Sequence, residues 1–221
     1  MTVPRGLEPT GVILLDKPAG RSSFSAVAET RRRTGARTGH AGTLDPFATG
    51  LLVVLSGRAT KVASRFVGLD KRYLTEIDLT ARTSTGDPEG DVVDEHDAPE
   101  PDDLAAALDE LRGEIELPIP AASAVKIAGE RAYRLHRRGV SVEMPLRRSA
   151  VYELTLVDYA AGIAKLDLCV SSGTYVRAIA DVLGGHCRTL RRLEVGPFSV
   201  HEADPARVLP LGDALARIDA P

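Results

Sequence analysis

The alternation of hydrophobic and polar residues along the chain predicts a series of strands with fewer helices between them. Two uninterrupted apolar runs, Val12–Leu15 and Leu51–Leu55, are predicted to be buried strands. Alternating patterns in RYLTEIDLTA, SAVYELTLVDY and IAKLDLCVSS predict half-buried strands, and LRRLEVGPFSV predicts a final one. Because long helices do not regularly separate these strands, the pattern favours an α+β fold with a mixed or antiparallel sheet.

Capping residues and apolar spacing predict several helices. The first is capped by Ser22 or Ser23 and carries Phe24, Val27 and Ala28 on one face. The other helices are predicted at about 59–67, 104–112, 131–138 and 174–183.

The chain shows no internal repeat, so we expect one catalytic-size domain over residues 1–221. Residues 84–103 are acidic and turn-rich, which predicts an exposed excursion. Residues 126–148 carry seven Lys or Arg against two Glu, and this character predicts that 120–148 is an insertion.

Charge is distributed unevenly, although the formal net charge is only -3. Residues 1–75 hold 12 basic and 5 acidic side chains, 76–119 hold 2 and 15, and 120–221 hold 14 and 11. A polyanion would meet the field of the basic parts rather than the average. Solvated surface charge without a partner fits the same counts equally well.

The sequence predicts a cytoplasmic protein. Its longest apolar run is about five residues, too short for a membrane span, and Pro4, Arg5 and Glu8 occupy the place of a signal peptide's apolar region. Cys169 and Cys187 lie in no CxxC motif and predict buried thiols, neither a disulfide framework nor a zinc site.

One loop-like stretch, GHAGTLDPFATG at 39–50, combines glycines with His40 and Asp45. Asp-Pro is a common turn starter, because proline restricts the residue before it and the carboxylate bonds nearby amides. The glycines would also let a ligand approach the backbone closely. No metal-ligand spacing is present, so a catalytic Asp45 would act as a nucleophile or base without metal.

A second candidate region, SSGTYVRAIADVLG, places Tyr175 and Arg177 in the first turn of a helix. Arg177 could hold a carboxylate such as Asp45 in its ionised state, although a capped helix with a surface arginine gives the same pattern. Taken alone, the pattern favours core packing for Tyr73 and a turn at a strand end for Lys17.

Two further motifs also have ordinary structural explanations. Arg191 and Arg192 could bind phosphates or form the charged face of an edge strand. STGDPEGD at 84–91 has the composition of a calcium loop but lacks its spacing and terminal Glu, which predicts a solvated turn. Residue patterns alone therefore give an Asp, Arg and Tyr set and two basic regions without naming a reaction.

Seven segments, taken in order, resemble the bacterial tRNA pseudouridine-55 synthases of the TruB family. They are GVILLDKPAGRSS, GHAGTLDPFATGLL, KRYLTEIDL, TSTGDPEGDVV, SAVKIAGERAYRL, SSGTYVRAIADVLG and LRRLEVGPF. The motif GHAGTLDPxATGLL is highly specific for this family, and GTYxR supports it. The resemblance implies the pseudouridine synthase fold, an α+β fold with a mixed, largely antiparallel central sheet, flanking helices and a thumb-like insertion.

The resemblance also implies site residues. The family's catalytic aspartate, active-site tyrosine and aspartate-pairing arginine fall on Asp45, Tyr73 and Arg177. Substrate-binding positions fall on His40, Lys17, Tyr175 and Leu190. Contacts to RNA are expected at Lys126, Arg131, Arg134, Arg191 and Arg192.

The implied reaction isomerises uridine-55 in the T loop of tRNA after the base has been flipped into a pocket. It requires no cofactor and no metal, and the implied partner is the T arm of tRNA, gripped by the thumb-like insertion at 120–148. We expect a monomer with no protein partner and no membrane association. After LPLGDALARIDAP nothing remains that could form the C-terminal RNA-binding (PUA-type) domain of many relatives, so we expect that domain to be absent.

Two other functions remain open on the sequence. The protein could be an RNA-binding protein or tRNA folding helper in which catalysis is incidental or lost. It could also be a synthase of the same fold that acts at another uridine or on another RNA.

Overall fold

The computed structural model describes residues 10–220, so Pro4, Arg5 and Glu8 lie outside the described residues. The strands are β1 (Gly11–Lys17), β2 (Thr38–His40), β3 (Thr49–Ser56), β4 (Lys71–Asp78), β5 (Ala81–Thr83), β6 (Val92–Glu95), β7 (Gly113–Pro118), β8 (Lys126–Ile127), β9 (Glu130–Arg131), β10 (Leu146–Ala160), β11 (Ile163–Val170), β12 (His186–Val195), β13 (Phe198–Ser199) and β14 (Leu209–Pro210). The α-helices are α1 (Ser23–Thr34), α2 (Ala63–Val67), α3 (Pro101–Glu110), α4 (Ala132–Arg137), α5 (Val176–Val182) and α6 (Leu211–Asp219).

The chain divides into two compact units, and each is described by itself. Unit 1 runs to Tyr73 and resumes at Leu190, whereas unit 2 comprises residues 74–189. The boundaries fall inside β4 and β12.

Unit 1 is built around the two apolar runs, which form β1 and β3 as predicted. These strands pair antiparallel, with Val12 opposite Leu55 and Leu15 opposite Leu52. The strand order in this unit is β14-β1-β3-β12, with β2 also on β3 and β13 on β12. The core between this sheet and the nearby helices includes Phe66 of α2, whose ring lies 6.0 Å from that of Phe198.

Unit 2 contains the strands predicted from alternation. In β11 every second residue is buried, in the pattern expected of a strand with one face on a core. The order is β12-β4-β11-β10-β7, and β10 pairs antiparallel with both β11 and β7. Two small hairpins, β5–β6 and β8–β9, lie outside this sheet. The predicted α+β class with a largely antiparallel sheet is confirmed.

Several local predictions need correction. The helix predicted at 59–67 is a 3-10 turn at Gly57–Val62 followed by the short α2. The pattern also missed β2, β7 and α6. In α1 the buried face is formed by Ser23, Ala26, Val27 and Thr30, and it is continuous around one side of the helix. Phe24 projects about 100° away from Ser23 and is exposed, so the prediction that it shares the apolar face was wrong.

Candidate active site

Asp45 lies in a loop between two paired strands of unit 1. We call residues 41–48 the Asp45 loop. Its first end is held by the pairing of β2 with β3, His40 opposite Val54, and by a hydrogen bond from the Ala41 amide to the Val53 carbonyl at 2.9 Å. Asp45 is half-buried, and the Ala48 amide donates to its carbonyl at 3.2 Å, which closes a turn. The Asp-Pro turn is therefore real, and it presents the carboxylate from a fixed base.

A buried serine fixes the residue next to Asp45. The Ser23 hydroxyl donates to the Leu44 carbonyl at 3.0 Å, and it accepts from the Leu44 amide at 2.8 Å. Ser23 is 2% exposed, so both bonds lie away from water. The start of α1 is thereby tied to the Asp45 loop, a link that the sequence did not predict.

Lys17 fixes the other side of the loop. Its ammonium donates to the Arg21 carbonyl at 2.7 Å, to the Pro18 carbonyl at 2.9 Å and to the Pro46 carbonyl at 3.2 Å. The Gly20 amide also donates to the Pro46 carbonyl, at 2.8 Å. Lys17 is 1% exposed. Its placement supports a role in holding the loop, and the substrate contact that the resemblance implied stays a prediction.

Arg192 holds the first half of the loop from β12. Its Nε donates to the Leu51 carbonyl at 2.7 Å, and its Nη atoms donate to the Gly42 and Thr43 carbonyls at 3.1 and 3.4 Å. The side chain is 1% exposed. In this structure Arg192 therefore holds the loop backbone, and the RNA contact expected at Arg192 stays a prediction.

Gly50 explains how β12 comes this close. It has φ +100°, and a Cβ atom there would lie 2.2 Å from the Arg192 carbonyl oxygen. Only glycine combines this backbone conformation with so short a separation. The third glycine of the motif therefore brings Arg192 up to the Asp45 loop.

Arg191, the neighbour of Arg192, points to the surface. Its guanidinium forms a two-pronged pair with Asp16, with Nη–Oδ distances of 3.0 and 2.7 Å. This hydrogen bonding raises the pKa of Arg191. The side chain is 38% exposed, so an RNA phosphate could reach it only in competition with Asp16.

Three more predicted site residues lie in unit 1. Tyr73 on β4 and Leu190 on β12 are each 7% exposed. His40 is half-buried at the end of β2. Burial, with a smaller contribution from the positive charge of Arg192, lowers the pKa of His40, while a backbone interaction with Gly42 opposes the shift. His40 is therefore largely uncharged at neutral pH.

Unit 2 contains Arg177, buried at the start of α5. It is 3% exposed, and its Nη atoms donate to the Thr85 carbonyl at 2.7 Å and the Ala122 carbonyl at 3.0 Å. Its Nη1 also lies 3.4 Å from Oδ2 of Asp87. The arginine is thus a buried, charged residue, as a role in the site requires, and the surface alternative is excluded.

The residue that sequence reasoning missed is Asp87. We predicted a solvated turn at 84–91, but Asp87 is only 4% exposed. Its Oδ1 accepts from the Thr85 hydroxyl at 2.6 Å and from the Glu89 amide at 3.0 Å. Thr85 and Asp87 at this spacing are typical of a local turn, which a sequence can show. The other carboxylate oxygen faces Arg177, which is 90 residues further along the chain. A local sequence pattern does not encode a contact between residues so far apart.

Tyr175, the residue before α5, lies beneath an arginine. The Arg147 guanidinium carbon is 5.5 Å from the centre of the Tyr175 ring, and its Nη1 donates to the Gly173 carbonyl at 3.1 Å. Tyr175 is half-buried, so one part of the ring remains accessible.

The predicted RNA contacts of the insertion are at the surface. Lys126 on β8, Arg131 on β9 and Arg134 on α4 are all exposed. Arg134 lies 5.9 Å from the centre of the Tyr133 ring, to whose hydroxyl its Nε donates at 3.3 Å. Arg131 donates to the Ala124 carbonyl. The three cations can thus be reached by a polyanion.

Within residues 10–220, no group of three or more His, Cys, Asp or Glu side chains is arranged to hold a metal ion. In the same part of the chain, no helix combines the length and apolarity needed to cross a membrane.

The family model and two curated relatives that match this chain all concern pseudouridine synthases. Residues 30–176 match the family described as TruB family pseudouridylate synthase (N terminal domain). The tRNA pseudouridine synthase B of Mycobacterium sp. (strain KMS) is 44% identical over 212 residues, which cover 90% of this chain and 71% of that protein. The protein of the same name from Bordetella avium (strain 197N) is 38% identical, with 92% and 88% covered.

Solved structures agree on the fold. A chain in the crystal structure of a Cbf5-Nop10-Gar1 complex is 29% identical with a TM-score of 0.67, and the match covers 86% of this chain and 50% of that one. The protein therefore spans about half the length of that chain. A crystal structure of a pseudouridylate synthase, 17% identical, has a TM-score of 0.54, with 96% and 75% covered.

Proposed function

The chain belongs to the TruB family of pseudouridylate synthases, and we propose that it converts uridine-55 in the T loop of tRNA to pseudouridine. The observation that best supports this proposal is the Asp45 loop, whose backbone is held by the buried side chains of Ser23, Lys17 and Arg192. A reacting carboxylate must keep its position while the substrate is bound, and such a rigid base provides this.

The proposed reaction breaks the bond between N1 of uracil and C1′ of ribose and forms a bond between C5 and C1′. The C5 proton leaves and N1 acquires a proton, so atoms and electrons balance without an oxidant or reductant. We therefore propose a reaction without a cofactor. Its demands are a nucleophile or base, a second base for the C5 proton, and a pocket for the flipped uracil.

We assign these demands to residues at the family's positions. Asp45 is the proposed nucleophile, and Tyr73 accepts the C5 proton or supports the residue that does so. Arg177 stabilises the negative charge of Asp45 in this proposal, a role that rests on its match to the family motif. His40 and Leu190 line the space around the flipped base, and an uncharged His40 suits a role beside stacked bases.

The remaining parts of the proposal concern the partner. The exposed cations of the insertion at 120–148, together with Tyr175 and Arg191, contact the T arm of tRNA. We further propose that the protein acts in the cytoplasm as a monomer without a protein partner. Size-exclusion chromatography with and without tRNA tests the last point, and a dimer peak would contradict it.

The test of the proposed function is release of tritium from a T-arm stem-loop labelled at C5 of uridine. Wild-type protein should release the label, whereas Asp45→Asn should slow the release by about 10⁴-fold or more, because the nucleophile is lost. Its RNA affinity should stay within about tenfold, since the positive surface is unchanged. The matched control is Asp70→Asn at an exposed aspartate, which should react like wild type.

Two outcomes would contradict the proposal. Wild-type turnover by Asp45→Asn would remove Asp45 from the mechanism. Tight RNA binding by wild-type protein without any release would favour the RNA-binding or folding helper instead. A stem-loop with cytidine in place of uridine-55 identifies the target position, because label released from it must come from another uridine.

A further inference from the structure

Phe24 is an exposed aromatic residue beside the Asp45 loop. It is 78% exposed, the largest fraction among the exposed large apolar side chains of residues 10–220. It follows Ser23, whose hydroxyl is bonded to both backbone groups of Leu44, the residue before Asp45. Ser23 therefore fixes the start of α1, and with it the backbone of Phe24, next to the Asp45 loop.

Helix α1, which carries Phe24 in its first turn, presents cations on the same side. Arg31 lies seven residues later, which returns to almost the same face of α1 about 10 Å further along the axis. Between them is Ala28, a small residue that leaves the surface open. The distance corresponds to about three nucleotide steps of one strand.

The cations of this helix are concentrated near its end. Residues 21–37 contain five arginines and one glutamate, and that glutamate, Glu29, is paired with Arg21 at 2.6 Å. Arg31, Arg32, Arg33 and Arg37 are all exposed, and no ion pair holds them among the residues that the structure describes. Arginines in a last turn also stabilise the helix dipole, but that effect gives no reason for an exposed aromatic ring at the other end.

We propose that Phe24 stacks on a nucleobase of the RNA strand that flanks the target uridine, and that Arg31 and Arg32 bind phosphates of the same strand. Exposed aromatic rings beside cations are the usual means of holding unpaired bases, because every base has a π-face. The surface complements RNA in charge. The inference rests on the proposed function, since it names a further contact of the same RNA.

The test uses the absence of tryptophan from the chain. Phe24→Trp introduces the sole tryptophan of the chain at the proposed stacking position, and stacking on a base should quench its emission by about half when a T-arm stem-loop is added. The control is Val93→Trp on β6, at a side chain that is 63% exposed, whose fluorescence should hardly change.

Kinetics provide the second readout. Phe24→Ala should raise KM for the stem-loop by about tenfold, a typical loss for one stacked base, and leave kcat within about twofold. Phe24→Tyr should restore the wild-type KM, whereas Phe24→Leu should behave like Phe24→Ala, because leucine is apolar but cannot stack. Thermal unfolding of all three should match wild type, since the side chain is exposed.

The two proposals fail in different ways. If wild-type protein releases tritium but Phe24→Trp is not quenched, or if Phe24→Ala keeps the wild-type KM, the stacking proposal is wrong and the function stands. If wild-type protein neither binds nor isomerises the stem-loop, the proposed function fails and the stacking proposal fails with it.

Discussion

The Asp45 loop and the thumb segment, residues 120–148, both depend on basic side chains, which are buried in the first region and exposed in the second. Arg192 is 1% exposed and donates to three backbone carbonyls around the loop. Arg134 in the thumb segment is exposed, and its guanidinium lies against the neighbouring Tyr133 ring. One arginine fixes backbone, and the other is available to a partner.

The difference teaches that a count of basic residues overstates the surface that RNA can meet. Lys17, Lys71 and Arg192 belong to basic stretches, but none is more than 6% exposed. Their charge is used within the protein, where carbonyl oxygens replace the water that each cation loses. The electrostatic footprint must therefore be read from exposed cations, and variants of the two classes should fail in opposite ways.

The largest effect is expected for Arg192→Met. The change leaves buried carbonyls of the Asp45 loop without a donor, and we expect a loss of about 3 kcal/mol in the free energy of unfolding. For a chain of this length that is a fall in Tm of roughly 6 to 12 °C. At a temperature where the variant is folded, kcat should fall more than KM rises, because the loop holds Asp45, the proposed nucleophile.

The matched control is Arg191→Met, the next residue along β12. Its pair with Asp16 lies at the surface, so its removal should cost about 0.5 kcal/mol and leave kcat unchanged. If both variants unfold at the same temperature, the distinction between buried and exposed arginines in this region would not hold.

The next effect concerns Asp87→Ala, which breaks the buried pair with Arg177. We expect a loss of about 2 to 3 kcal/mol, because the buried guanidinium keeps its bonds to the Thr85 and Ala122 carbonyls but loses the charge of the Asp87 carboxylate. Urea denaturation measures the loss. The control is Asp91→Ala at an exposed aspartate of the same turn region, which should change the free energy of unfolding by less than about 0.5 kcal/mol. Equal losses for the two variants would mean that Asp87 behaves as part of a solvated turn, as the sequence pattern predicted.

Sequence patterns predicted much of the fold, because its strands bury one or both faces and so carry strong periodicity. The apolar runs at β1 and β3 and the alternation in β11 were sufficient to place these strands. The pattern missed β2, which has no buried residue, and α6, where only Ala214 is buried. Short or half-exposed elements take their conformation from neighbours that are distant in sequence.

The candidate site was only partly predictable, for a related reason. Family motifs proposed Asp45, Tyr73 and Arg177 as site residues, but they did not show which cations are buried. Gly50 was assigned to ligand approach, whereas the structure uses it for the approach of β12. Whether a charged side chain meets water or a backbone carbonyl depends on packing between separate segments, which local patterns do not encode.

A smaller effect, of opposite kind, is expected from the thumb segment. Replacing Lys126, Arg131 and Arg134 together with alanine should weaken Kd for a T-arm stem-loop by about 10- to 30-fold at 0.1 M salt. The negative slope of the logarithm of the RNA binding constant against the logarithm of salt concentration should become shallower by about 2 to 3. The free energy of unfolding should change by less than about 0.5 kcal/mol. Arg58→Ala at an exposed arginine of unit 1 is the control. Unchanged binding by the triple variant would remove the thumb segment from the RNA interface.

The effect that is smallest at neutral pH is the titration of a buried lysine, which distinguishes it from an exposed one. Burial, assisted by the charge of Arg192, lowers the pKa of Lys71 to about 8, whereas an unfolded lysine titrates near about 10.4. Between these values the unfolded chain binds more protons, so stability from this group rises as pH rises through the window. Nζ donates to the Val67 and Leu69 carbonyls. A difference of more than two units between the folded and unfolded pKa corresponds to a rise of about 3 kcal/mol across this window.

Urea denaturation between about pH 7.5 and 10.5 measures this rise as the difference between wild type and Lys71→Met, which removes the titrating group. The control is Lys126→Met in the thumb segment, which should keep the pH dependence of wild type because its side chain is exposed. If Lys71→Met also keeps it, Lys71 is not a buried cation in solution. The two lysines would then belong to one class, and the contrast between the regions would rest on arginine alone.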